Sequence, residues 1–72
     1  MNGQRLVELR KAAGLTQAEL AVKAGLGMMQ VSRIERGAVS DPQMSTVQAL
    51  AEALGVPVAE LLADPEPEAV AR

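Results

Sequence analysis

The sequence contains no cysteine, no histidine and no aromatic residue. Without cysteine there can be no disulfide and no thiolate metal site. With histidine also missing, the side chains that most often serve as general base, nucleophile or metal ligand are gone. The carboxylates of Glu8, Glu19, Glu52 and Glu60 are scattered at surface spacing along helical patterns, and no glycine-rich phosphate loop is present. The expectation is a protein that is not an enzyme and holds neither cofactor nor metal. A core without aromatics must be built from Leu, Val, Ile, Met and Ala, which suits closely approaching helices. No long apolar run marks a signal peptide or a membrane span, so the expected location is the cytoplasm, with the nucleoid as the place of work if DNA is bound. Seventy-two residues allow one domain with a modest core, of a size that gains stability from a second copy of itself.

What is present is unevenly distributed. The net charge is −2, which does not suit a protein that coats nucleic acid, but residues 1–37 carry six Lys and Arg against three Glu, while residues 38–72 carry one Arg against six Asp and Glu. A basic front and an acidic back fit a DNA-facing surface opposite a solvated or partner-facing one.

The chain is organised around Leu15 to Gly37, LTQAELAVKAGLGMMQVSRIERG. Thr16 followed three residues later by Glu19 forms a capping box that opens a helix. Gly25 ends it, being able to take the left-handed backbone conformation, and Leu26 can turn back into the core. Gly27 can cap a second helix over Met28–Arg36, closed by Gly37. Small Ala21 permits close approach of the two helices, and Val31 and Ile34 face inward one turn apart. Met28, Met29, Gln30, Ser32, Arg33 and Arg36 are left on the outward face. Before this unit, Leu6, Leu9 and Ala13 give a helix over 4–13 ended by Gly14. After it, Pro42 rules out helix through AVSDPQ, and Met44, Val47, Leu50, Ala51 and Leu54 give a helix over 44–54 ended by Gly55. A short helix over 58–63 presents Val58, Leu61 and Leu62. The pattern predicts an all-α domain of five helices over residues 1–63, helices near 4–13, 17–24, 28–36, 44–54 and 58–63, followed by a disordered, acidic-leaning tail over 64–72.

The residues LTQAELA, AGL and VSRIERG resemble the helix-turn-helix of the phage-repressor-like family (Cro/repressor or XRE type), and the match extends over about residues 4–62. The resemblance implies a five-helix repressor-like bundle whose second and third helices form the helix-turn-helix. It implies that Arg10 pairs with Glu35, tying the first helix to the third, and that Gln17, at the start of the second helix, meets a DNA phosphate. It places Met28, Met29 and Arg33 at base-reading positions. Many relatives carry glutamine where Met28 stands; methionine lacks that double hydrogen bond and can press on a thymine methyl or fill a gap instead. Whether these methionines face DNA, the core or a partner stays open at this point.

Arg33 and Gln30 are the polar candidates for base contact, Arg33 by the fork that fits a guanine edge. Arg36 and Ser32 are assigned to phosphate, together with Gln43 through the backbone N–H groups at the start of the fourth helix. The loop before that helix departs from the family in having Asp41 where lysine or arginine is common. The fifth helix departs as well: relatives usually begin it with serine, and this chain has Pro57. Val58, Leu61 and Leu62 are assigned to a two-fold dimer. The expected function is a sequence-specific, double-stranded DNA-binding transcription regulator of repressor type, acting as a homodimer with the third helix in the major groove. The alternative is an antitoxin-like module that neutralises a partner protein such as a toxin, with DNA autoregulation secondary. Apolar side chains left uncovered, among Val39, Met44, Leu61 and Leu62, would favour the alternative.

Overall fold

Five α-helices follow one another in the computed structural model, which describes residues 3–39 and 41–62: α1 (Gly3–Ala12), α2 (Gln17–Ala24), α3 (Met28–Glu35), α4 (Met44–Leu54) and α5 (Val58–Leu62). There is no strand among the described residues, and no helix there is long and apolar enough to cross a membrane. Ser40, Ala63 and the expected tail over 64–72 lie outside the described residues.

The start of α2 is fixed by its own sequence. The Thr16 hydroxyl accepts from the Glu19 N–H at 3.1 Å, and the Glu19 carboxylate accepts from the Thr16 N–H at 2.8 Å. Two backbone donors at the open end of the helix are thereby satisfied. Thr16→Ala is expected to cost about 1 kcal/mol, seen as a lower midpoint in urea unfolding, while Thr16→Ser should retain most of it.

Gly25 ends α2 with φ +72°, a conformation in which a Cβ would crowd the chain. The turn lets the Leu26 N–H reach back to the Ala21 carbonyl at 2.8 Å and the Gly25 N–H to Val22 at 3.2 Å, so carbonyls at the helix end are paired. The same pair of bonds closes α1, α3 and α4, each followed by an apolar or small residue: Leu15, Ala38 and Val56. Pro57 stands just before α5, and its carbonyl accepts from the Glu60 N–H at 2.9 Å, so the proline supplies the first turn where a serine cap is absent.

α2 packs on α3 and α4, α1 on α3 and α5, and α4 on α5. The hydrophobic core is aliphatic, formed by Leu6, Leu20, Ala21, Val31, Ile34, Val47, Leu50, Ala51 and Leu61, and Thr46 is buried as well. Arg5 fastens the two ends of the domain. Its Nε donates to the Glu60 carbonyl at 3.1 Å, and a second nitrogen pairs with the Glu60 carboxylate.

Three expected core or interface residues are placed differently. Ala13 is exposed, because α1 stops at Ala12 and the chain is already turning. Met44 is 53% exposed: it is the first residue of α4, and helical side chains lean toward the amino end, where no further turn covers it. Leu61, assigned above to a dimer contact, is fully buried. α5 packs against both α1 and α4, and Leu61 is the residue it buries between them. Of the three assigned residues, half-buried Val58 packs on the core and only Leu62 keeps a largely free side chain.

Candidate nucleic-acid interface

α3 is anchored by one side and presents the other. Val31 and Ile34 are buried and the Glu35 side chain is turned toward α1 and α2, which leaves Met28, Met29, Gln30 and Arg33 as the outward positions of this short helix. Gln30, Arg33 and Arg36 are exposed and Ser32 is half-buried. Met28 and Met29 are 56% and 70% exposed, so neither fills the core.

The end of α3 is tied to both preceding helices through Glu35, whose side chain is only 4% exposed. Arg10 on α1 donates from Nε to Glu35 Oε2 at 2.6 Å and from Nη2 to Oε1 at 3.3 Å, and from Nη1 to the Leu15 carbonyl at 2.9 Å. The Arg10–Glu35 pair is thus present, with two nitrogens engaging two oxygens. Gln17 completes the group by donating from Nε2 to Glu35 Oε1 at 2.8 Å. One of the two amide N–H bonds expected for phosphate is therefore already used, and the second, with the backbone N–H groups that open any helix, is what α2 has left to offer an anion.

Two depressions flank α3. One, of about 510 Å³, is lined by Gly27, Met29, Gln30, Arg33 and Val39. The other, of about 380 Å³, shares Gln30 and Val39 with it and runs to Asp41, Gln43 and Thr46 at the start of α4. The structure thus brings Met29, Gln30, Arg33 and Gln43 to one surface strip. Gln43 occupies the capping position of α4 without a side-chain cap, so its contribution at that helix start is from backbone.

Two residues of this region were not singled out for it by the sequence. Val39 forms a wall common to both depressions. Gly3 opens α1 against the far end of α3, where a Cβ would lie 2.4 Å from the Ile34 carbonyl oxygen and 2.7 Å from that of Glu35. The sequence carried no signal for Gly3, because the expected helix began at residue 4 and the close approach appears only once α1 is seen to start at Gly3.

The helix-turn-helix family model matches residues 6–61. The chain belongs to that family. It is of the phage-repressor-like, XRE type that the motif residues suggested. Among curated proteins, this helix-turn-helix domain is 43% identical to the HTH-type transcriptional regulator RghRB of Bacillus subtilis (strain 168) over 61 residues, 85% of this chain and 44% of that protein, so it spans less than half of RghRB's length. Among solved structures, it resembles the restriction-modification controller protein C.AhdI from Aeromonas hydrophila, with TM-score 0.79, 42% identity, and coverage of 82% of this chain and 88% of that one. It also resembles SinR, the master regulator for biofilm formation, solved in complex with DNA, with TM-score 0.83, 36% identity, and coverage of 88% and 100%. The domain is a DNA-binding helix-turn-helix of the transcription-regulator kind.

Proposed function

We propose that this domain is a sequence-specific regulator of transcription that binds duplex DNA as a homodimer, laying α3 in the major groove. The observation that carries the proposal is the outer face of α3. Arg33 and Gln30 project from a helix whose other side is locked into the core by Val31 and Ile34, beside a helix start that can meet phosphate. Arg33 and Gln30 read base edges, with Met28 and Met29 beside them; Arg36, Ser32, Gln17 and the backbone at Gln43 meet phosphates. A chain of net charge −2 with so few cations on this face binds weakly as one copy, so useful affinity comes from two. Leu62 and Val58 on α5 supply part of the two-fold contact.

Selection of bound sites from a random duplex pool tests the proposal. The expected product is two inverted half-sites with centres about 10 base pairs, or roughly 34 Å, apart. Sedimentation should show dimers at high micromolar concentration. A strict monomer with and without DNA would remove the dimer, and an unselected pool would remove the DNA reader. A second reading, the antitoxin-like protein-binding module, is favoured by the apolar side chains left uncovered, Met44 at 53% and Leu62 at 45% exposure, and by a patch on α2. Val22, 80% exposed, stands over an apolar depression of about 400 Å³ with Leu15 and Ala18 on the outer side of α2. An unselected pool would transfer the proposal to that surface.

A further inference from the structure

The lining of the depression beside α3 includes a glycine that the fold does not require. Among the described glycines, four have positive φ and Gly3 has no room for a Cβ. Gly27 has neither constraint: its φ is −80° and ψ 147°, open to any residue, and a Cβ there would meet nothing within 4 Å. It is also the capping position of α3, where serine, threonine or aspartate would add a hydrogen bond that α3 lacks. What Gly27 provides is space.

That space has an apolar wall. Met29 and Val39 line it, Arg33 and Gln30 stand on its rim, and Met28 is exposed at the neighbouring position. A major-groove edge presents donors, acceptors and a single kind of apolar group, the methyl on C5 of thymine. A thioether has no strong hydrogen bond to offer the polar groups, but it is soft and packs well on a methyl. We infer that the depression formed by Gly27, Met29 and Val39 seats the C5-methyl group of a pyrimidine next to the base pair read by Arg33. The protein then distinguishes thymine from uracil, and 5-methylcytosine from cytosine, at that step. The inference rests on the DNA-reading role of α3 proposed above.

The test uses the full chain and the duplex it selects from a random pool. Each thymine is replaced singly by deoxyuridine, which removes only the methyl. One thymine per half-site should be sensitive, losing about fourfold in affinity, the worth of one buried methyl, and about sixteenfold when both half-sites are changed together. At that position a 5-methylcytosine·guanine pair should bind about fourfold better than cytosine·guanine. Met29→Ala, at an exposed side chain, should bring the thymine-to-uracil ratio close to one. Gly27→Ser should weaken the thymine duplex and not the uracil duplex, while its thermal midpoint stays level or rises from the added cap. The inference is overturned by a selected site with no methyl-sensitive thymine, by a Met29→Ala protein that keeps the fourfold ratio, or by Gly27→Ser losing equally on both duplexes. That last result would mean the glycine admits the DNA backbone. A protein that selects no duplex at all overturns the underlying DNA reading and this inference with it, and is told apart from the other failures by that first step.

Discussion

Glu35→Ala is expected to remove about 3–5 kcal/mol of folding stability at 25 °C. Glu35 is nearly sealed from water and holds Arg10, itself 13% exposed, through two contacts. Removing the carboxylate leaves a guanidinium buried with, among the described residues, the Leu15 carbonyl as its remaining hydrogen-bond partner, and takes away the contact of the Gln17 amide as well. Breaking a buried pair in this way costs about 3–5 kcal/mol. A chain of this length has a total stability of about 4–11 kcal/mol, so the loss takes a large share of it. Urea unfolding followed by the helical circular dichroism signal measures the change; a loss below about 1 kcal/mol would show that the pair is effectively solvated. Replacing both partners by apolar residues of similar size, Arg10→Met with Glu35→Leu, should recover much of the loss, since no charge is then stranded. If the double variant is as unstable as Glu35→Ala alone, the cost lies in the Gln17 contact instead.

Arg33→Ala and Arg36→Ala should fail in different ways. A guanine edge exists only in the right sequence, whereas phosphate recurs at every step of a duplex. Arg33→Ala should therefore cost about 1–3 kcal/mol on the preferred site and much less on unrelated DNA. Arg36→Ala should weaken binding to every duplex alike and reduce the salt dependence by about one unit of slope. Measuring both variants on selected and random duplexes at several salt concentrations separates the roles. Equal losses on the two duplexes for Arg33→Ala would remove it as a base reader and leave Gln30 and the methionines.

Much of the fold was legible because its signals are local. The Thr16–Glu19 box and the turn at Gly25 involve residues at most five apart, so the sequence contains both partners of each bond. The inward places of Val31, Ile34, Val47 and Leu50 follow from helical period alone. Periodicity says which way a residue points but not where its own helix begins or stops, and Ala13 and Met44 are exposed for that reason, each at the end of an element. Leu61 and Leu62 share one stripe; only the simultaneous contact of α5 with α1 and α4 decides that Leu61 is the one buried. In the candidate site, the Arg10–Glu35 pair was available through resemblance. The Gln17 contact to Glu35 was not, because it joins residues 18 apart through a side-chain geometry that no spacing rule encodes. The wall formed by Val39 and the open space at Gly27 are shapes, and a shape becomes visible only once the loop after α3 is folded back beside it.

The glycine that opens α1 has a consequence for how binding preference can change. Any side chain at position 3 would press on the Ile34 and Glu35 carbonyls, and those belong to the last turn of the helix that carries Arg33. The strain can be relieved by tilting α3, so a substitution there alters the angle at which the helix is presented without touching any group on its outer face. A genetic screen for altered operator preference should consequently return changes at residue 3 alongside changes at the reading positions, and a library diversified only over the exposed face of α3 would never sample them.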